Sequence, residues 1–132
     1  KPIKTVADLR PFKIGGVATD AKVEMLRNSA VTNVLEVVRD DLNPPRLFLK
    51  QDDPNRIDLW VTGYYSAGTV AAAAKAGPVK LVYVLREQPL WLACSPRTGK
   101  DVVKKLSDAI AAMKKDGTHK RLIDAMEKTV AR

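Results

Sequence analysis

The sequence predicts an α/β fold built on an open, mostly parallel sheet of about five strands flanked by helices, with further helices at the C-terminal end. Three observations carry this. Short β-branched or apolar runs alternate with amphipathic or alanine-rich segments from Phe12 onward. Strand-like runs pass directly into helix starts at Val17–Asp20 and Thr62–Ser66, the pattern of crossover units. Finally, 132 residues suffice for one ordinary domain with a real core, and no linker is long enough to divide them.

Taken in order, FKIGGV (Phe12–Val17) reads as a short strand. TDAKVEMLRNSA (Thr19–Ala30) reads as a helix capped by Thr19 or Asp20, with Val23, Leu26 and Ala30 on its inner face. TNVLEVV (Thr32–Val38) is β-branched enough to be the next strand. Asn43 can cap a short helix from Pro44 to about Gln51, because proline at a first helical position forfeits no hydrogen bond. RIDLWVT (Arg56–Thr62) is a buried strand, and Ser66 opens an alanine-rich helix that stops at Gly77-Pro78.

VKLVYVL and PLWLACS supply two more strands, separated by the polar Arg86–Gln88. In the C-terminal third, Val102, Val103, Leu106, Ala109, Ile110 and Met113 recur at helical spacing with lysines on the other faces. Asp116-Gly117-Thr118 ends that helix and caps another, whose stripe is Leu122, Ile123, Met126 and Val130.

Composition narrows the function. Hydrophobic residues make up 45% and charged residues 29%, a globular mixture, and no apolar run approaches the roughly 20 residues of a membrane-crossing helix. The net charge of +8 is C-terminal in origin: residues 1–78 hold 11 Lys+Arg against 9 Asp+Glu, and residues 79–132 hold 12 against 6. That excess falls on two amphipathic helices without interleaved aromatics, so it reads as solvated surface and nucleic-acid binding is not expected. A lone cysteine, Cys94, excludes an internal disulfide, and the N-terminal KPIKTVADL lacks the features of a secretory leader.

No catalytic set stands out. Cys94 reads as a core thiol and His119, the only histidine, as a solvated imidazole in the first turn of a polar helix. One Cys and one His cannot supply a zinc site, and Gly15-Gly16 lacks the spacing of a dinucleotide or phosphate loop, so neither metal nor cofactor is expected. The two strand-to-helix junctions carry more. In an open α/β sheet, ligands gather beyond the carboxyl ends of the strands, where helix N-termini present free N–H groups. Ala18, Thr19 and Asp20 form the first candidate, with backbone N–H groups and the Thr19 hydroxyl able to hold a carboxylate; a plain helix cap is the alternative. Thr62, Gly63 and Tyr64 form the second, with Gly63 permitting close approach and Tyr64 or Tyr65 offering an aromatic wall. Asp58 is expected to be held by backbone N–H groups or Arg56 in a structural role.

ADLRPFKIGGV, then NRIDLWV, then LSDAIAAMKKDGTHKRLI resembles the periplasmic solute-binding proteins of bacterial ABC transporters, specifically the extracellular family 3 that captures amino acids and similar small polar solutes. The last stretch is the most telling, since an amphipathic helix ending in Lys-x-Asp-Gly-Thr and followed by a shorter helix closes most members. The resemblance implies a type II periplasmic-binding-protein-like lobe. Residues 1–85 correspond to lobe two, residues 86–132 to the return segment and C-terminal helices of lobe one, and the N-terminal part of lobe one is absent. It further implies a periplasmic location, a small polar solute, an ABC permease as partner, and a lobe one contributed by another segment or by a second, domain-swapped chain.

Carried over by position, Ala18, Thr19 and Asp20 match the turn that receives the solute's carboxylate. The acid that pairs with an amino acid's ammonium would stand at Gly63, so an α-amino acid ligand is not expected unless another acid, such as Asp20, compensates. Two rival readings share the fold: a periplasmic dehydratase acting on cyclic carboxylic acids, which would need Asp20 as its acid or base, and the sensory module of a membrane receptor.

Overall fold

The computed structural model describes residues 2–131. Its sheet is parallel and three-stranded, in the order β2-β1-β3, with β1 at Ile14–Val17, β2 at Val34–Val37 and β3 at Leu59–Trp60. The expectation of about five strands is therefore corrected to three. β1 is central because IGGV can be approached from both sides. A Cβ on Gly15 would lie 2.5 Å from Asn43 Oδ1, and one on Gly16 would lie 2.5 Å from Val23 Cγ2, so the two glycines let different layers close in on opposite faces. β3 is shorter than the Arg56–Thr62 run. It is fastened at its start by Asp58, whose Oδ2 accepts from Lys13 N at 3.0 Å and whose Oδ1 pairs with Arg56 at 3.0 Å. Asp58 thus has the expected partners, although it sits at the surface rather than inside.

Helix α1 (Ala21–Asn28) covers the Gly16 side. Asp20, not Thr19, caps it, its side chain accepting from Lys22 N at 2.8 Å. Val23 and Leu26 are buried as their spacing requires. Leu26 and Val31 join Leu9 and Ile14 in the core, with Leu59, Val61, Tyr83 and Leu85 packed against them. Ala30 is not on that inner face. It ends the helix in the left-handed region (φ 57), where Val31 N donates to Leu26 O at 2.9 Å and Ala30 N to Arg27 O at 2.9 Å, a closure that glycine usually makes.

On the Gly15 side lie short 3-10 turns at Asp40–Leu42 and Pro44–Phe48, the second ending earlier than the helix expected there. Helix α2 (Tyr64–Ala73) packs on them. It starts two residues before Ser66. It also stops well before Gly77-Pro78, because Lys75 takes a left-handed conformation (φ 54) and Ala76 N reaches back to Ala71 O at 3.0 Å.

Helix α3 (Lys100–Lys115) and helix α4 (Thr118–Glu127) form a hairpin through left-handed Gly117 (φ 81), with Asp116 accepting from Thr118 N at 2.8 Å. That bond holds the Asp116 carboxyl below the usual carboxylate range. α4 returns to α2, where Gly68 lies against Thr129, and Val130 is buried.

The strands expected at VKLVYVL and PLWLACS are not formed; among the described residues, one parallel bridge, Lys80 to Ala131, is all the ladder that residues 79–95 make. Tyr83 and Leu85 pack against the core and Leu81 is half-buried, while Val82 and Val84 are exposed, so the period-2 pattern is expressed without a partner strand among the described residues. From Leu90 to Leu92 all three residues are exposed, Trp91 at 86%. Cys94, expected in the core, lies exposed beside them. No helix among the described residues is long and apolar enough to cross a membrane.

Candidate functional site

The parallel register puts both strand-to-helix junctions on one edge. Ile14 pairs with Leu59 and Gly15 with Trp60, and Val61 N continues the ladder to Gly15 O at 3.0 Å, so Thr62 emerges beside the end of β1. Ala18–Asp20 and Thr62–Tyr64 therefore share the carboxyl edge of the sheet.

At the first junction, Ala18 N donates to Val37 O at 2.9 Å and Asp20 N to Val17 O at 3.2 Å. Thr19 between them has φ 63, a strained region for a β-branched residue. Its hydroxyl donates to Ala18 O at 2.6 Å. The N–H groups of Thr19 and Ala21 have no acceptor among the described residues, so the group able to receive a carboxylate is narrower than the four-residue turn. Asp20 is engaged locally: beyond the cap, it pairs with Lys22 Nζ at 2.7 Å. Burial pushes its pKa up, but the hydrogen bonds from the Lys22 side chain and backbone and the lysine's charge outweigh this, leaving it below the ordinary value.

At the second junction, Gly63 has ordinary extended geometry (φ -75, ψ 128), and a Cβ there would meet only Ser66 Oγ at 3.1 Å. Its value to a ligand is thus the open approach it leaves. As the residue before α2 it provides no side-chain cap. Tyr64 is half-buried and Tyr65 exposed, and their rings meet edge to face at 5.2 Å.

Sequence reasoning missed Asp40. It follows β2 and is half-buried, with Oδ1 accepting from Trp60 Nε1 at 2.8 Å and Oδ2 from Thr62 Oγ1 at 2.7 Å. Because β1 lies between β2 and β3, this link spans the central strand's carboxyl end. Its neighbour Arg39 turns instead to Asp41, at 3.0 and 2.7 Å, leaving Asp40 with neutral donors and no ion-pair partner among the described residues. That contact, working against slight desolvation, sets the Asp41 carboxyl below its ordinary value. The only local signal for Asp40 is an Asp-Asp pair after a strand; its partners are 20 and 22 residues away.

Among the described residues no group of His, Cys, Asp and Glu is arranged to hold a metal ion. Cys94 and His119 lie on separate elements, the extended segment and α4. A shallow depression of about 380 Å³ on α4, lined by Gly117, Lys120, Arg121, Asp124, Ala125 and Lys128, includes none of the edge residues. The edge thus combines the free N–H groups of Thr19 and Ala21, the fixed carboxylates of Asp20 and Asp40, an accessible glycine and two aromatic rings. These can orient a small polar ligand. Compared with family models, with curated proteins and with solved structures, the chain matches none.

Proposed function

We propose that this chain is a non-enzymatic solute-binding module, one lobe of a two-lobed receptor of the family 3 type that serves a bacterial ABC importer in the periplasm and hands its solute to the membrane permease. The observation that carries the reading is the register that sets Ala18–Asp20 and Thr62–Tyr64 on one sheet edge. Strain at Thr19 adds to it, since a β-branched residue at φ 63 is retained against a cost of about 1–2 kcal/mol. The solute is small and polar and bears a carboxylate or comparable acceptor, which the N–H groups of Thr19 and Ala21 receive.

Gly63 brings no negative charge, whereas Asp40, one hydrogen bond from Thr62, does. A dehydratase would need Asp20 as acid or base, and its engagement in the cap and with Lys22 argues against that. A facing lobe would close over the edge and exclude water.

Titration of the chain with a panel of small carboxylates, polyols and amino acids, followed by amide chemical shifts, tests this. The expected result is weak binding, with dissociation constants of about 1 mM, and shifts confined to residues 18–21 and 62–64. Shifts centred elsewhere, or sub-micromolar binding by a single lobe, would refute the proposal.

A further inference from the structure

Among the described residues, Asn43 is the fully buried polar side chain: it is 0% exposed, and neither its Oδ1 nor its Nδ2 meets a protein partner. Three residues on, Arg46 Nη1 is likewise buried without a partner. Local sequence explains why the amide is left over. An asparagine ahead of a helical turn ordinarily caps it by accepting from the second or third N–H, but Pro45 has none and the Arg46 N–H is taken by Asn43 O at 3.0 Å. The side chain turns instead onto β1 at the place that Gly15 leaves open, where a Cβ would stand 2.5 Å from Oδ1. The Arg46 N to Asn43 O bond is of the 3-10 kind, in which residues three apart eclipse, so both side chains leave the same side of the turn.

We propose that Asn43 and Arg46 form an internal binding site for one water molecule. Asn43 Nδ2 and Arg46 Nη1 donate to the water oxygen, and the water donates one proton to Asn43 Oδ1. The count of donors and acceptors selects water over an anion. Chloride or a carboxylate could take the two N–H groups, but it would leave Oδ1 unmet and set negative charge against it. Three polar partners is also the usual number for a buried water, and leaving a core amide and a guanidinium N–H unmet is a penalty that a marginally stable domain does not carry lightly. Half-buried Arg46 supplies the way in.

The site has a defined place in the fold. Asn43 N donates to Asp40 O at 3.1 Å and Ile57 N to Arg46 O at 3.2 Å, so the bound water mortars β1 to the turn that runs from Asp40, at the carboxyl edge, to the segment leading into β3. The inference rests on buried polar atoms alone and does not depend on the ligand reading above.

Nuclear magnetic resonance of the full chain, with nitrogen-15 selection of the Asn43 side-chain amide, reads the water directly. Cross-peaks from those two protons to water are expected with opposite sign in NOE and ROE spectra, which separates a bound water from proton exchange. Arg46→Met keeps the aliphatic stem and removes the guanidinium donor; it should shorten the water's residence about tenfold, as loss of a charge-assisted hydrogen bond does, measured by oxygen-17 relaxation dispersion. Circular dichroism checks that the variant is folded, and the parent's spectra decide the matter if it is not. Absence of the cross-peaks in the parent, a residence time indifferent to Arg46→Met in a folded variant, or chloride-dependent shifts of the Arg46 guanidinium without a water contact would each overturn the proposal, the last in favour of an anion.

Discussion

Replacing Asp40 with alanine tests whether the carboxyl edge is built by the link across β1. The carboxylate accepts two hydrogen bonds, at 2.8 Å from Trp60 and 2.7 Å from Thr62. Bonds to a charged group contribute about 1.5–3 kcal/mol each when fully buried. Asp40 is only half-buried, so water replaces part of each bond, and about 1 kcal/mol apiece is the appropriate scale. Asp40→Ala should therefore cost about 2 kcal/mol and Asp40→Asn, which retains one acceptor, about 1 kcal/mol.

Thr62→Val removes one donor and should cost about 1 kcal/mol alone but almost nothing in the Asp40→Ala background, a coupling of about 1 kcal/mol. Urea unfolding followed by Trp60 fluorescence, with Trp91 replaced by phenylalanine to remove the second emitter, measures all four corners of the cycle. Additive costs, or an alanine variant within about 0.5 kcal/mol of the parent, would refute the reasoning.

Two further outcomes follow from the first helix. Asp20 has its pKa lowered in the fold, so its contribution is present above the unfolded value and is lost as pH falls through the folded one. Asp20→Asn keeps the cap but not the charge; the stability gap between parent and variant should be open at neutral pH and close below about pH 4, and a gap of constant size would refute the assignment. Ala30→Gly should stabilise the chain by about 0.5–1 kcal/mol, because the left-handed closure at φ 57 suits glycine; thermal melts that show destabilisation would count against it.

Much of the fold can be read from local pattern. β1, β2 and α1 fall within the runs that alternation and capping mark, and α3 and α4 meet at the Asp116-Gly117 break that separates their stripes. Those are short-range signals. The helix ends at Ala30 and Lys75 escape such reading because non-glycine residues make a closure that glycine normally announces. Residues 79–95 carry a strand pattern, but a ladder is a property of two segments, and the described residues supply only Ala131. That Thr19, Asp20, Thr62 and Tyr64 stand at strand-to-helix junctions on the carboxyl edge is legible because such junctions are local. Asp40 is not, since its role is fixed by side chains one strand further along. Cys94 illustrates the opposite error: apolar neighbours imply burial only if something covers them.

The adjacent glycines of β1 set the thickness of the molecule at the strand on which both strand-to-helix turns of the carboxyl edge depend. Asn43 and Ile57 press on Gly15 from one side, and Val23 and Val61 on Gly16 from the other. A methyl group at either position would act as a shim, moving one layer outward and tilting the turn attached to it. The spacing of the rim is thus gauged by two missing side chains a few residues beneath it, and drift at that gauge would reshape the rim without altering any of the rim's own residues.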